Sequence, residues 1–372
     1  MQSADGAGDG LKVRGLVKAG VARALFWTRT DALLGALADR TRTALVLGYH
    51  RVVEDLSTEA RHTIAAMLIT RRMLEEQLDW IGRRFRFVGL DELGERLERH
   101  DGAAGPVAAV TFDDGYQDVY EVAFPLLKRK GIPAAVFVVS DLVGNRGLLA
   151  HDRLYAALGR AFARWASPAR ALRRLLVGLG IVVPGMEQWT GVGWTAGTVL
   201  VWLLRGLPRA DILRVIDAIE DEVGFDEAVA RALLPMTWEM LTRMQRAGVV
   251  IGSHSRTHAW LTLEEREKAL EELRGSRLDL ESRLHITVRH FAYPDGRFNN
   301  ETAEMVAATG YRFGYTTCNH RDPSYPLLTI PRRMLWQNAC LDTRGRFSPA
   351  ILSCQVHGVF NLVRGCEQNH AA

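Results

Sequence analysis

Two short motifs that lie far apart in the chain contain side chains suited to one divalent metal ion. The first is Thr111-Phe-Asp-Asp-Gly115, and the second pairs His254 with His258. A hydrolytic zinc takes three nitrogen or oxygen ligands at about 2.0 to 2.2 Å and keeps one position open for water. Asp114 and the two histidines supply such a set, and Asp113 remains available as a general base. These residues predict a metal-dependent hydrolase.

Each motif alone has a simpler interpretation. Asp-Asp-Gly after an apolar run is typical of a turn, and histidines at this spacing also occur on protein surfaces by chance. Their placement favours the metal site, because residues 107–112 predict a buried strand that ends at the aspartates, and residues 249–252 predict another that ends at the first histidine. In barrels built from β/α units, the catalytic groups lie at the C-terminal ends of the strands.

The two motifs resemble those of the polysaccharide deacetylase family, also called carbohydrate esterase family four or the chitooligosaccharide deacetylase homology domain. The resemblance extends from about Leu45 to Arg333, with one insertion. It implies a distorted (β/α) barrel of about seven strands, a metal that is usually zinc, and hydrolysis of an acetamide or ester on a sugar. It also assigns Asp113 as the base, with Asp114, His254 and His258 as the metal ligands.

The third motif departs from the usual family pattern. It is Phe291-Ala-Tyr-Pro-Asp-Gly296, with Ala292 where an arginine is usual. This variant resembles a branch that includes deacetylases of bacterial biofilm poly-N-acetylglucosamine, in which the catalytic acid is a histidine near the N-terminus. Gly48-Tyr-His-Arg-Val52 is similar to the early motif of that branch and implies His50 as the general acid. A histidine titrates near neutral pH and can protonate a departing amine, although a histidine packed at a strand end is the alternative.

The absent arginine leaves Asp113 without the cationic partner that the family usually supplies. Arg332 lies in Ile330-Pro-Arg-Arg-Met334, just beyond a predicted final strand, and is a candidate for that partner. An arginine at this position can equally form an ordinary surface ion pair. Arg332 is therefore predicted only as a candidate support of the base.

Three residues of the third motif are expected to shape the substrate groove, namely Tyr293, Pro294 and Gly296. Proline stiffens a turn and glycine lets the backbone approach a sugar closely, whereas an ordinary turn is the alternative. The family resemblance also implies that backbone amides next to Tyr116 contribute to an oxyanion hole. Tyr116 is accordingly grouped with the substrate-binding residues.

Composition and charge restrict the class of protein. The chain has 372 residues, of which 48% are hydrophobic and 24% charged, enough for one barrel core and an appendage. The formal charge is only +4 and the basic residues are dispersed among acids, so nucleic acid is not expected as a partner. Residues 1–10 lack the pattern of a secretory signal, and the four cysteines lack Cys-x-x-Cys spacing, so a cytoplasmic protein is expected.

Residues 1–43 are predicted to form an N-terminal amphipathic helical segment. Between residues 11 and 37, apolar residues recur at helical spacing among basic ones. One role for such a helix is peripheral contact with an anionic membrane surface. Packing against the outside of the barrel is the alternative, since barrel-flanking helices show the same pattern.

The remaining boundaries follow from one long insertion. The predicted barrel comprises residues 44–143 and 236–335, residues 144–235 form a helical insertion, and residues 336–372 are a C-terminal extension. The insertion is expected to act as a lid or wall that selects substrate, or simply as a stabilising decoration. His151 and Asp152, at its start, match no family motif and are left outside the predicted site.

Together these features predict a zinc-dependent deacetylase acting on carbon–nitrogen (non-peptide) bonds of N-acetylated amino sugars, in a polysaccharide or glycolipid precursor. Asp113 would activate water and His50 would protonate the departing amine. The alternatives are an O-deacetylase or another amide hydrolase of the same fold, and a non-catalytic carbohydrate-binding protein. The expected cytoplasmic location favours a substrate made inside the cell, such as a lipid-linked or nucleotide-linked sugar.

Overall fold

The computed structural model describes residues 19–31, 33, 44–60, 63–99, 105–186, 193–361 and 370. The strands are β1 (Ala44–Tyr49), β2 (Arg51–Val53), β3 (Leu68–Thr70), β4 (Arg86–Phe87), β5 (Val107–Phe112), β6 (Ala134–Val138), β7 (Val250–Ser253), β8 (His290–Ala292), β9 (Phe313–Thr316), β10 (Ile330–Pro331) and β11 (Arg333–Met334). The α-helices are Leu56–Glu59, Arg71–Gly82, Leu90–Arg99, Phe124–Lys130, Ala150–Arg164, Pro168–Gly178, Ala196–Gly206, Arg209–Val223, Glu227–Ala232, Trp238–Arg246, Arg266–Leu284, Asn300–Ala308 and Pro349–Val356.

The main sheet curls into a nearly closed barrel of parallel strands. Its order is β10-β9-β8-β7-β6-β5-β1-β11, and β4 pairs with β5 beside this path. Because only Arg332 separates β10 from β11, one extended segment pairs with β9 on one side and with β1 on the other. The predicted (β/α) barrel is confirmed. The path has one strand more than expected because this closing segment counts as two.

The central strands are largely apolar because both faces of a parallel sheet are covered. All six residues of β5 are buried, and it pairs in register with β1 from Ala44 opposite Val107 to Tyr49 opposite Phe112. The strand predicted at 107–112 therefore has the observed bounds. The strand predicted at 249–252 is β7, which begins and ends one residue later.

Between β6 and β7 the chain leaves the barrel and forms a group of helices. Ala150–Arg164, Pro168–Gly178, Ala196–Gly206 and Arg209–Val223 bury their apolar faces in a hydrophobic core separate from that of the barrel. The two ends of this insertion lie side by side, since the Gly144 N–H donates to the Met236 carbonyl at 2.9 Å. Residues 187–192 lie outside the described residues. No helix in the described part of the chain is long and apolar enough to cross a membrane.

The N-terminal segment is described only in part. Residues 19–27 are helical, and the buried Ala22 packs in a small apolar cluster with Ile351 and Cys354 of the C-terminal helix. The side chain of Trp27 is 79% exposed. The rest of the predicted amphipathic segment, at residues 1–18 and 34–43, lies outside the described residues.

Candidate metal centre and catalytic cavity

The three predicted metal ligands meet at the C-terminal ends of β5 and β7. Asp114 lies just beyond β5. His254 directly follows β7, where its N–H donates to the Val138 carbonyl at 2.9 Å. His258 is brought back by a turn in which its N–H donates to the Ser255 hydroxyl oxygen at 2.9 Å. The two histidines therefore share a loop rather than one face of a helix.

The ligand atoms lie close enough for one ion. Asp114 Oδ1 lies 3.3 Å from His258 Nε2 and 3.5 Å from His254 Nε2, and the candidate ligand atoms all lie within 4.8 Å of one another. Both carboxylate oxygens of Asp114 are buried without a hydrogen-bond partner among the described residues. Burial and the neighbouring Asp113 raise the pKa of Asp114 well above its ordinary value. A cation would satisfy the orphaned oxygens and keep them ionised, so these side chains fit a divalent metal.

A backbone carbonyl fixes the orientation of one ligand. His254 Nδ1 lies 2.8 Å from the carbonyl oxygen of Ala292. When Nδ1–H donates to this oxygen, the lone pair of Nε2 faces the other ligands, an arrangement typical of metal-binding histidines. Ala292 is the position where the family pattern usually has an arginine, and here its backbone orients a ligand.

Backbone strain concentrates around the site. Asp114, Ser255, His258 and Asp295 have φ values of 71°, 64°, 62° and 53°, and they are four of the six non-glycine residues with positive φ in the described part of the chain. Each such conformation costs on the order of 1–3 kcal/mol and persists only where the surroundings hold it. Strain of this kind is typical of a site selected for geometry rather than for stability.

Asp113 is held by a buried arginine. Arg332 Nη1 donates to Oδ1 at 2.6 Å and Nη2 donates to Oδ2 at 2.7 Å, and Arg332 is only 1% exposed. Burial by itself would raise the pKa of Asp113, but Arg332 and His254 together hold that pKa below its ordinary value. Asp113 is thus an ionised, oriented carboxylate. The structure places Arg332 where sequence analysis suggested a partner for the base.

His50 follows β1 and lines a cavity together with Asp113 and the three candidate ligands. Burial lowers the pKa of His50 to about 4, although the Asp113 carboxylate opposes the shift. His50 is therefore neutral near pH 7 in this state. It can donate a proton only after taking one up within the site.

The cavity has a volume of about 360 Å³. The metal centre and His50 line one part of it, and Trp260 and Trp336 contribute aromatic surface. The helical insertion also contributes to the lining. The residues of the insertion that line the cavity are Ala150, His151, Gly197, Leu200, Val201, Leu204, Arg205, Leu207, Arg209 and Ile212.

His151 of the insertion reaches the candidate metal centre and its neighbour Asp152 contacts Tyr116, although sequence analysis left both residues out. The His151 ring lies 5.0 Å from the His258 ring, measured between centroids, and it lines the cavity. The Tyr116 hydroxyl donates to Asp152 Oδ2 at 2.7 Å and lies 3.2 Å from His151 Nε2. The phenol of Tyr116 thus connects the loop after β5 to the insertion. The adjacent His-Asp pair was the available signal, but no spacing rule relates it to the barrel motifs.

The third motif contributes unequally to the cavity wall. Gly296 lines the cavity with φ 65°, and a Cβ there would collide with Thr317. Tyr293 and Pro294 are buried and lie outside the set of residues that line the cavity. The Tyr293 hydroxyl has no hydrogen-bond partner within the described residues. Asp295 does line the cavity, and its side chain is 51% exposed.

The fold and site together define a β/α-barrel protein with a candidate Asp-His-His metal centre at the C-terminal ends of its strands. The family model for polysaccharide deacetylases matches residues 100–173 and 211–314, a match that supports placing the chain in this family. YxkH of Bacillus subtilis (strain 168), which carries the same family description, is 20% identical over 260 residues. That alignment covers 69% of this chain, and the chain spans 62% of the length of that relative.

Two solved structures share the fold. The deacetylase PplD of Streptococcus pyogenes, in complex with acetate, is 17% identical, with coverage of 81% of this chain and 95% of that one and a TM-score of 0.50. IcaB from Ammonifex degensii is 20% identical, with coverage of 85% and 97% and a TM-score of 0.50. At these identities the likeness shows the barrel fold.

Proposed function

We propose that this protein is a zinc-dependent deacetylase that removes acetyl groups from N-acetylated amino sugars of a polysaccharide or glycolipid precursor. One observation carries the proposal. The orphaned Asp114 carboxylate lies with His254 and His258 beside an Arg332-paired Asp113, in a single cavity. The family match to residues 100–173 and 211–314 supports a deacetylase.

The metal site and the base have separate tasks in this proposal. Asp114, His254 and His258 would hold the ion, which when bound supplies Lewis-acid polarisation of the acetamide carbonyl and makes water more acidic. Asp113 takes a proton from the attacking water. Arg332 keeps Asp113 ionised and fixes the orientation of its oxygens, because a bidentate guanidinium contact leaves the carboxylate little freedom to rotate.

His50 completes the reaction at the leaving group. After water has added to the acetamide carbon, the carbon–nitrogen bond breaks only if the nitrogen gains a proton. We assign that proton transfer to His50, which lines the same cavity. His50 is neutral near pH 7, so in this proposal it first receives the water proton that Asp113 has taken. With a pKa of about 4 it then passes that proton readily to the nitrogen. Acetate and the free amine are the products.

We further propose that the N-terminal helix contacts a membrane surface. Trp27, Leu33 and Val21 are 79%, 58% and 49% exposed, whereas Ala22 packs against the C-terminal helix. Exposed aromatic and aliphatic side chains on a basic helix suit the boundary between headgroups and acyl chains. The test is sedimentation with vesicles of anionic phospholipid. Equal binding by wild type and by a Trp27→Ser, Leu33→Ser variant would contradict this proposal.

Acetate release tests the proposed function. Zinc-loaded protein is incubated with N-acetylglucosamine oligomers, lipid-linked amino sugars and O-acetylated sugars. Asp113→Asn protein is run alongside, with an Asp221→Asn control that changes an exposed carboxylate of the insertion. Release by wild type and control but not by Asp113→Asn would support the proposal. Release only from substrates that carry O-acetyl groups would favour an O-deacetylase. Metal binding without any release would favour a non-catalytic sugar-binding role.

A further inference from the structure

One face of an insertion helix lines the candidate catalytic cavity with aliphatic side chains. The helix Ala196–Gly206 directs Gly197, Leu200, Val201 and Leu204 to the cavity. Their spacing of three, one and three residues is that of a single helical face. The part of this helix that lines the cavity is therefore apolar, apart from Arg205 in its last turn.

The opposite face of the same helix is also apolar, and it has a different partner. Val199 and Leu203 are 3% and 0% exposed and pack in the hydrophobic core of the insertion. A helix that is apolar on both faces normally has both faces covered by protein. Here Leu200 both borders the cavity and belongs to the insertion core at 1% exposed, whereas Val201 borders the cavity and remains 45% exposed.

The aliphatic surface continues beyond this helix. Leu207 and Ile212 extend it within the insertion, and Ile64 and Met67 extend it from the barrel side. The apolar wall, defined as Ile64, Met67, Leu200, Val201, Leu204, Leu207 and Ile212, thus comes from separate segments of the chain. Its residues converge on the cavity that also holds the metal centre.

Such a wall does not suit a sugar hydroxyl. Hydroxyl groups that leave water need hydrogen-bond partners, and aliphatic side chains provide none. A hydrocarbon chain, in contrast, gains free energy in proportion to the apolar area that it removes from water. The cavity offers groups for a sugar elsewhere, in Trp260, Trp336, Arg209 and the metal centre.

We propose that the apolar wall binds a hydrocarbon chain carried by the amino sugar, so that the substrate is a glycolipid rather than a soluble oligosaccharide. The proposal rests on the proposed deacetylase function and adds the class of substrate. The acetamide lies at the metal centre, and the chain lies against the insertion helix in the same continuous cavity. The insertion is then a substrate-selecting wall.

The first experiment measures kcat/KM for acetate release from methyl, butyl, hexyl and octyl glycosides of N-acetylglucosamine, all below their micelle concentrations. Each buried methylene should raise kcat/KM by about fourfold. If three of the additional carbons are buried, the octyl glycoside should exceed the methyl glycoside by about 60-fold. A geranyl glycoside shows whether a branched prenyl chain is accepted as well as a straight one.

A matched pair of variants assigns the effect to the wall. Val201→Asp places a carboxylate on the cavity face, whereas Val177→Asp makes the same change at a 62% exposed position of the insertion outside the cavity. Val201→Asp should reduce the octyl-to-methyl ratio by at least about tenfold. Val177→Asp should keep both the ratio and the rates of wild type. A chain-length series that is equally steep in Val201→Asp would overturn the proposal.

Binding without turnover separates this proposal from the proposed function. Octyl and methyl glucosides carry no acetyl group, and their binding can be followed by calorimetry on zinc-loaded protein. Tighter binding of octyl glucoside in wild type and Val177→Asp, lost in Val201→Asp, would support the apolar wall even if no glycoside released acetate. Equal binding of both glucosides would refute the wall, while acetate release from the methyl glycoside would leave the deacetylase function standing.

Discussion

The buried Arg332–Asp113 pair allows the sharpest prediction from the structure. Arg332→Met removes both charge-assisted hydrogen bonds, of 2.6 and 2.7 Å, and leaves the Asp113 carboxylate buried without its cation. Removing one partner of a buried pair costs about 3–5 kcal/mol. We expect the free energy of unfolding of metal-free protein at pH 7 to fall by about that amount.

The loss of unfolding free energy in Arg332→Met should become smaller as pH falls. In wild type the pKa of Asp113 is depressed, so the stability from the pair is present above the unfolded value of about 3.9 and is lost as pH falls through the folded value. In Arg332→Met, burial is no longer opposed by Arg332, so the pKa of Asp113 should rise. The variant then gains stability relative to wild type as pH falls and its carboxyl group becomes neutral.

Urea denaturation in the presence of a chelator, at pH 7 and at pH 5, measures both effects. Asp113→Asn and the double variant complete a thermodynamic cycle, in which we expect a coupling above about 2 kcal/mol. Arg312→Met is the matched control, since Arg312 makes a two-point contact with Glu98 at the surface. An equal loss of stability at both pH values, with coupling below about 0.5 kcal/mol, would refute this reasoning.

Three further predictions concern the metal, the proposed acid and the insertion. Asp114→Asn should weaken zinc binding by more than about 100-fold in a chelator competition, because it removes a charged ligand. Since the pKa of His50 is about 4 in the folded protein and about 6.5 when unfolded, His50 should reduce the stability of metal-free protein as pH falls from about 6.5 to about 4. His50→Gln should remove up to about 3 kcal/mol of that acid-induced loss, as measured by thermal or urea unfolding. Tyr116→Phe should lower stability by about 1–3 kcal/mol, because the Asp152 carboxylate loses its 2.7 Å donor.

Each of these predictions has a result that would contradict it. Unchanged zinc affinity in Asp114→Asn would place the ion elsewhere. Parallel stability curves for wild type and His50→Gln between pH 7 and pH 4 would mean that His50 titrates normally. Unchanged stability in Tyr116→Phe would mean that water or another group serves Asp152 equally well.

The strand pattern and the family resemblance predicted the barrel, and the motifs indicated the candidate metal ligands. A parallel strand that is covered on both faces is largely apolar. Residues 107–112 could therefore be recognised as a strand with its observed bounds. In a β/α barrel the catalytic residues lie at the C-terminal ends of the strands, so the residues that directly follow a predicted strand are the candidates. For these local features, composition and order along the chain carry the necessary information.

Contacts between distant segments depended on the tertiary structure. Arg332 meets Asp113 because the segment around it closes the barrel between β9 and β1, and this closure depends on the registers of several strands at once. His151 lies at the start of the helix Ala150–Arg164, which packs in the insertion core, and its ring lies 5.0 Å from that of His258.

In the insertion, too, the tertiary structure decided which face of a helix borders the cavity. Both faces of the helix Ala196–Gly206 are apolar, so periodicity could not assign one to the protein core and the other to the cavity. That assignment depends on which neighbouring side chains fill the insertion core. The sequence therefore indicated the fold and the candidate metal ligands, and it offered Arg332 only as a candidate partner of Asp113. The tertiary structure decided the Arg332–Asp113 contact and the residues that line the cavity, because both arise from the packing of segments far apart in the chain.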